Sequence, residues 1–142
     1  MSDALRTSLY FVAPHRVELR EEPRPAPGTA QLLVQTLVSA ISAGTEMLFY
    51  RGQAPAELSL DATIPALAGA IQYPFKYGYA SIGQVIALGK QVDSIWQDQL
   101  VFAFHPHESH FSTTPAEVMP IPSDVRSEQA AFLPNMETAV NF

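Results

Sequence analysis

The chain has 142 residues, nearly half of them apolar and 15% charged, which suits one domain around one core and excludes a disordered polypeptide. A net charge of −6 without any basic run argues against nucleic acid or an anionic membrane as partner. No cysteine is present, so disulfides and thiolate metal sites are excluded. A reducing, cytoplasmic setting is expected, since no cationic-then-apolar leader and no run long enough to span a bilayer is seen.

Twelve prolines cut the chain into short segments and predict a mainly β fold. Residues 8–12 are β-prone and stop at Pro14. Residues 16–21 alternate polar and apolar, with Val17 and Leu19 on one half-exposed face, so the two runs are predicted to pair as a hairpin. Residues 23–28 form a stiff turn. Residues 31–40 are apolar on both faces over much of their length and predict a central strand.

That strand delivers residues 39–52, Ser-Ala-Ile-Ser-Ala-Gly-Thr-Glu-Met-Leu-Phe-Tyr-Arg-Gly. A turn at Gly44 and a short helix closing at Gly52 are expected, with Thr45 a fair N-cap and Glu46 suited to the positive helix end. Polar groups at the end of a strand and the first turn of a helix are a common way to build a reaction site. Residues 53–74 show no clear period, and so long a loop in a compact domain reads as a lid over that site.

Residues 77–89 read as a long strand with three glycines, residues 93–97 as a turn, and residues 98–104 as another strand. His105, His107 and His110 lie in a polar loop, read mainly as solvated, with metal binding the lesser alternative. Residues 111–118 form a strand pair broken at Pro115, and residues 119–122 leave the sheet. Residues 127–133 read as a capped helix, and a second helix is expected after Pro134, reaching the chain end.

This order of pieces resembles the N-terminal, GroES-like catalytic domain of the medium-chain dehydrogenase/reductase superfamily, the zinc-type alcohol dehydrogenases and quinone oxidoreductases. The resemblance runs from Leu9 to Phe142 and rests on four landmarks in order. They are Ala43-Gly44-Thr45-Glu46 through Gly52, Gly78-Tyr79-Ala80 with the glycine-rich run to Gly89, Gln97 to Val101, and Pro120-Ile121-Pro122 followed by Ala130-Ala131 and Thr138-Ala139. The resemblance implies a distorted, partly open β-barrel with short helices over residues 1–126. Residues 127–142 would then begin the connection to a dinucleotide-binding (Rossmann) domain outside this chain.

Where zinc enzymes of the family carry metal ligands, this chain has Ala43, Tyr79 and Pro134, so the resemblance implies a zinc-independent member. It implies the substrate-side domain of an NAD- or NADP-dependent oxidoreductase. Hydride would pass to or from a carbonyl, alcohol or activated alkene, with the cofactor held mainly by the other domain. The chain alone is expected to be inactive, and a homo-oligomer is compatible with the family. The alternative is a non-catalytic binding or assembly module on the same barrel.

Four side chains are the candidates for chemistry. Thr45 stands where the family passes a substrate proton, and a helix cap is its simpler role. Glu46 would relay a proton or orient Arg51, or else complement the helix dipole. Tyr79 would hydrogen-bond a substrate carbonyl, or else fill the place of the metal. Tyr50 is a second phenol of that kind. For the cofactor, Thr138 stands where the family packs a threonine beside the nicotinamide.

Overall fold

The computed structural model describes residues 5–55 and 71–141. The proposed lid falls largely on residues 56–70, outside the described residues.

The first two strands, β1 (Leu5–Ala13) and β2 (Arg16–Pro23), pair antiparallel with Leu9 opposite Leu19, as the alternation predicts. Pro14 and His15 turn the chain between them. His15 takes a left-handed φ of 62° and is held there by its N–H donating to the Tyr50 carbonyl at 2.5 Å. Val17 and Leu19 are both exposed, more so than a half-buried face requires.

A second, five-stranded antiparallel sheet carries the rest of the domain in the order β6-β3-β4-β5-β7. Its members are β3 (Leu32–Ser39), β4 (Ser81–Leu88), β5 (Leu100–Ala103), β6 (His110–Thr113) and β7 (Val118–Pro120). The sheet does not close, which agrees with a partly open β-barrel. β3 sits inside the sheet, and Leu32, Leu33 and Val34 are buried. Three short α-helices, α1 (Thr45–Arg51), α2 (Ser127–Ala130) and α3 (Leu133–Val140), and two single turns of 3-10 helix, Ser94–Trp96 and Pro115–Glu117, complete the described fold.

Several predicted boundaries move. β4 starts at Ser81, not at Tyr77, because Tyr77 is committed to an aromatic cluster with Phe11, Phe49 and Phe75. β7 pairs with β5 through Pro120, so residues 119–120 belong to the sheet and do not leave it. The second C-terminal helix begins at Leu133 with Pro134 inside its first turn, where a missing N–H costs nothing. The helix predicted over residues 127–133 is one turn, ending at Ala130.

Three apolar clusters form the core. Leu32, Val34, Val85, Val101, Phe111 and Val118 pack on one side of the large sheet. Ile82, Phe102, Ala130 and Ala131 seat α2 on it. Phe11, Phe49, Phe75 and Tyr77 join the hairpin to α1. Phe49 is 1% exposed and meets Tyr77 edge-on at 4.6 Å. A fully buried Phe contributes about 2–3 kcal/mol, so this cluster fixes α1 against the hairpin more firmly than seven residues of helix could fix themselves.

Candidate functional site

β3 ends at Ser39, residues 40–44 turn, and α1 begins at Thr45. The helix stops at Gly52, whose φ of 67° is left-handed, and the Gln53 N–H closes the end on the Leu48 carbonyl at 2.9 Å. At the other end the cap residue is Gly44, and Thr45 is the first helical residue without a capping bond. The N-cap reading of Thr45 is therefore wrong. One residue of register moves its hydroxyl past the point where it could reach the free amides of the first turn. The Thr45 hydroxyl makes no hydrogen bond among the described residues.

A cleft of about 610 Å³ opens beside this turn, lined by Ala43, Gly44, Thr45, Tyr79, Pro134 and Thr138 among others. Three candidate side chains, Thr45, Tyr79 and Thr138, thus share one cavity. The Tyr79 ring meets Tyr77 edge-on at 6.3 Å, and its hydroxyl has no hydrogen-bond partner among the described residues. The Thr138 hydroxyl donates to the Pro134 carbonyl at 3.0 Å, so only its remaining surface is available to a bound group. Ala43, Tyr79 and Pro134 all line this cleft. Their donors amount to one phenol, which does not fit a zinc site of three or four ligands.

Glu46 and Tyr50 do not reach the cleft. They line a smaller cavity of about 160 Å³ with His107, beneath Leu9, Phe11 and Val17 of the hairpin. Ile41 borders both spaces. Glu46 is fully buried. It does not orient Arg51, which is exposed. One carboxylate oxygen accepts the Ser42 N–H at 3.2 Å, and the other accepts from His107 Nε2 at 2.8 Å. The imidazole Nδ1 in turn bonds the Ser39 hydroxyl. Ser, His and carboxylate in line are the parts of a nucleophilic triad, but Ser39 borders neither the cleft nor the smaller cavity, so no substrate carbon reaches it there.

The expected solvated histidine loop is largely buried: His107 is 8% and Glu108 5% exposed. The polar residues go inside because each finds a partner. His105 stacks on Phe111 with ring centres 4.0 Å apart, and burial lowers its pKa against the opposing pull of the Glu108 charge. His110 lies near the Ser109 hydroxyl, at 3.1 Å. The three rings take different partners, and among the described residues no group of three His, Asp or Glu could hold a metal ion.

Glu108 is the centre of a charged clamp between hairpin and sheet. It accepts from Arg6 at 3.0 Å and pairs with Lys76. Glu22 of the hairpin accepts from Arg6 at 3.1 Å, from Ser8 at 2.8 Å, and from Tyr10. Alongside, the Leu9 N–H donates to the His107 carbonyl at 2.9 Å, and the Ser109 N–H to Thr7 at 2.8 Å. Sequence reasoning missed Ser39 and the burial of His107. The only available signal was a carboxylate and two histidines within four residues, 105–108, a pattern that surface loops share.

No family model matches the sequence, and no curated protein matches it. Solved structures do match in fold. A quinone oxidoreductase from Coxiella burnetii superposes with a TM-score of 0.71 and 19% identity over 96% of this chain and 44% of that one. A short chain alcohol dehydrogenase (RspB) from Escherichia coli CFT073, solved with NADH, gives 0.74 and 17% over 97% and 44%. The human synaptic vesicle membrane protein VAT-1 homolog-like protein gives 0.72 and 18% over 96% and 42%. The chain thus has the fold of the corresponding part of these structures, a GroES-like β fold, and spans less than half of their length.

Proposed function

We propose that the chain is the substrate-side domain of a zinc-independent, nicotinamide-dependent oxidoreductase acting on a carbonyl, alcohol or activated alkene. One observation carries this reading. The three residues that the resemblance sets at the zinc-ligand positions, Ala43, Tyr79 and Pro134, line one cleft that also presents Thr45 and Thr138. A cleft so placed, with two hydroxyls that no protein group engages among the described residues, can hold a polar substrate oxygen. Structures of this fold solved with NADH and with NADP support the choice of cofactor class.

A nicotinamide bound by the partner domain would supply or accept the hydride. The residues of this chain do the remainder. Tyr79 and Thr45 donate hydrogen bonds to the substrate oxygen, stabilise the charge that develops on it, and hold its proton as it leaves or arrives. Ala43 leaves room where a metal ligand would stand. Thr138, its hydroxyl turned to the Pro134 carbonyl, would stand beside the nicotinamide ring when the cofactor is bound.

The test is turnover by the protein at its natural length, with NADH and NADPH offered alongside a panel of aldehydes, ketones and enones. Tyr79→Phe and Thr45→Val are each expected to lower kcat about 100-fold with the cofactor KM unchanged. The 142-residue chain alone is expected to bind neither nucleotide tightly by fluorescence titration. A folded, nucleotide-bound protein whose turnover ignores both substitutions would sink the cleft assignment. A full-length protein that binds no nucleotide would leave the barrel as a binding or assembly module.

A further inference from the structure

We infer that His107 is a positioning residue: through Glu46 it fixes the loop that floors the cleft. This rests on reading that cleft as the substrate site. The connection is a short line of bonds. His107 Nε2 donates to one Glu46 oxygen at 2.8 Å, and the other Glu46 oxygen accepts the Ser42 N–H at 3.2 Å. Ser42, Ala43, Gly44 and Thr45 then form the floor itself. Glu46 is fully buried, and a buried carboxylate deprived of its donor is costly, so the loop and the imidazole are held in one arrangement.

Two independent features show that the seat of His107 is built. A Cβ on Gly78 would stand 2.9 Å from the imidazole Cδ2 and Nε2, so only glycine there admits the ring. Gly78 precedes Tyr79, which means the residue that makes room for His107 also delivers the cleft phenol. The backbone is fixed from the other side, since the His107 carbonyl accepts from Leu9, and Glu108 is clamped by Arg6 and Lys76. His107 therefore joins the hairpin, the end of β3 through Ser39, the start of α1 and the Gly78–Tyr79 turn. It touches neither substrate nor cofactor.

Side chains that mimic one nitrogen at a time separate this role from simple packing. In His107→Gln the amide reaches as far as Nε2 and keeps the donor to Glu46. In His107→Asn the amide reaches only as far as Nδ1, keeping Ser39 and losing Glu46. Amide exchange measured by NMR on the 142-residue chain is expected to quicken at Ser42 by about 10-fold in His107→Asn and stay near wild type in His107→Gln, with Val34 and Val85 protected in both. In the full-length enzyme, His107→Asn is expected to lower kcat about 10- to 100-fold with the nicotinamide KM unchanged, and His107→Gln to restore it.

Equal effects of the two variants on Ser42 would overturn the inference, as would an unperturbed Ser42 in a folded His107→Asn protein. If His107→Asn does not fold, Ser39→Ala decides: it removes only the Nδ1 partner, and it should leave Ser42 exchange at the wild-type rate. Faster exchange there would place the loop under Ser39 and not under Glu46. A wild-type protein without turnover would defeat the oxidoreductase reading, and the exchange data would still settle the positioning.

Discussion

Replacing Glu22 by Gln removes one charge and keeps a hydrogen-bonding group of the same shape. Burial alone would raise the Glu22 pKa, but hydrogen bonds from Tyr10 and Ser8 and the charges of Lys76 and Arg6 outweigh it and hold the carboxyl at about 2, against an ordinary 4.5. A carboxyl depressed in the folded state contributes stability above its unfolded pKa, and that contribution is lost as pH falls through the folded value. At about 1.4 kcal/mol per unit the shift corresponds to ~3 kcal/mol. The side chain is 24% exposed, and solvent screening reduces this to roughly 2 kcal/mol. Urea unfolding of Glu22→Gln near neutral pH is expected to show that loss as a midpoint about 1 M lower. Repeated at lower pH, the gap between wild type and variant should begin to close below pH 4.5 and be nearly gone at about 2. A gap that stays constant across that window would mean that shape and hydrogen bonding, not charge, explain Glu22.

His105 gives a second acid-sensitive element at higher pH. Its depressed pKa means that stability is present above the unfolded value of 6.5 and is lost as pH falls below it, so a His105→Phe variant should flatten the stability profile below pH 6.5. Two glycines form a matched pair for thermal melts. A Cβ on Gly89 would lie 2.0 Å from the Gly28 carbonyl oxygen, whereas one on Gly44 meets only the Ser42 hydroxyl at 3.8 Å. Gly89→Ala is expected to cost at least about 2 kcal/mol, and Gly44→Ala to stay within about 1 kcal/mol of wild type.

What could be read from the sequence was local. The hairpin followed from alternation and Pro14, the central strand from an apolar run, and the end of α1 from Gly52. What could not be read depended on distance along the chain. Glu46 and His107 are 61 residues apart, and nothing near either says that one buries the other. Polar composition made residues 105–110 look solvated, although partners from β1, β3 and α1 draw His107 and Glu108 inside. Pro134 looked like a break between helices because a proline inside a helix is forbidden and a proline in its first turn is not. The cleft was the intermediate case. Its residues were named from a resemblance, while their meeting in one cavity required the fold.

The antiparallel sheet has a kinetic consequence. β3 takes β4 on one side and β6 on the other, with Leu32 opposite both Leu88 and Thr113. Neither partner is near it in sequence, so this sheet cannot zip from a turn as the β1–β2 hairpin can. Loop closure must come before the contacts that reward it, which places the domain among slow folders. The hairpin can form early and wait, but its clamp to Glu108 exists only after β5 and β6 have been laid down. A chain still being synthesised would carry an unpaired β3 edge until then, and that edge is the segment from which association between unfinished chains would start.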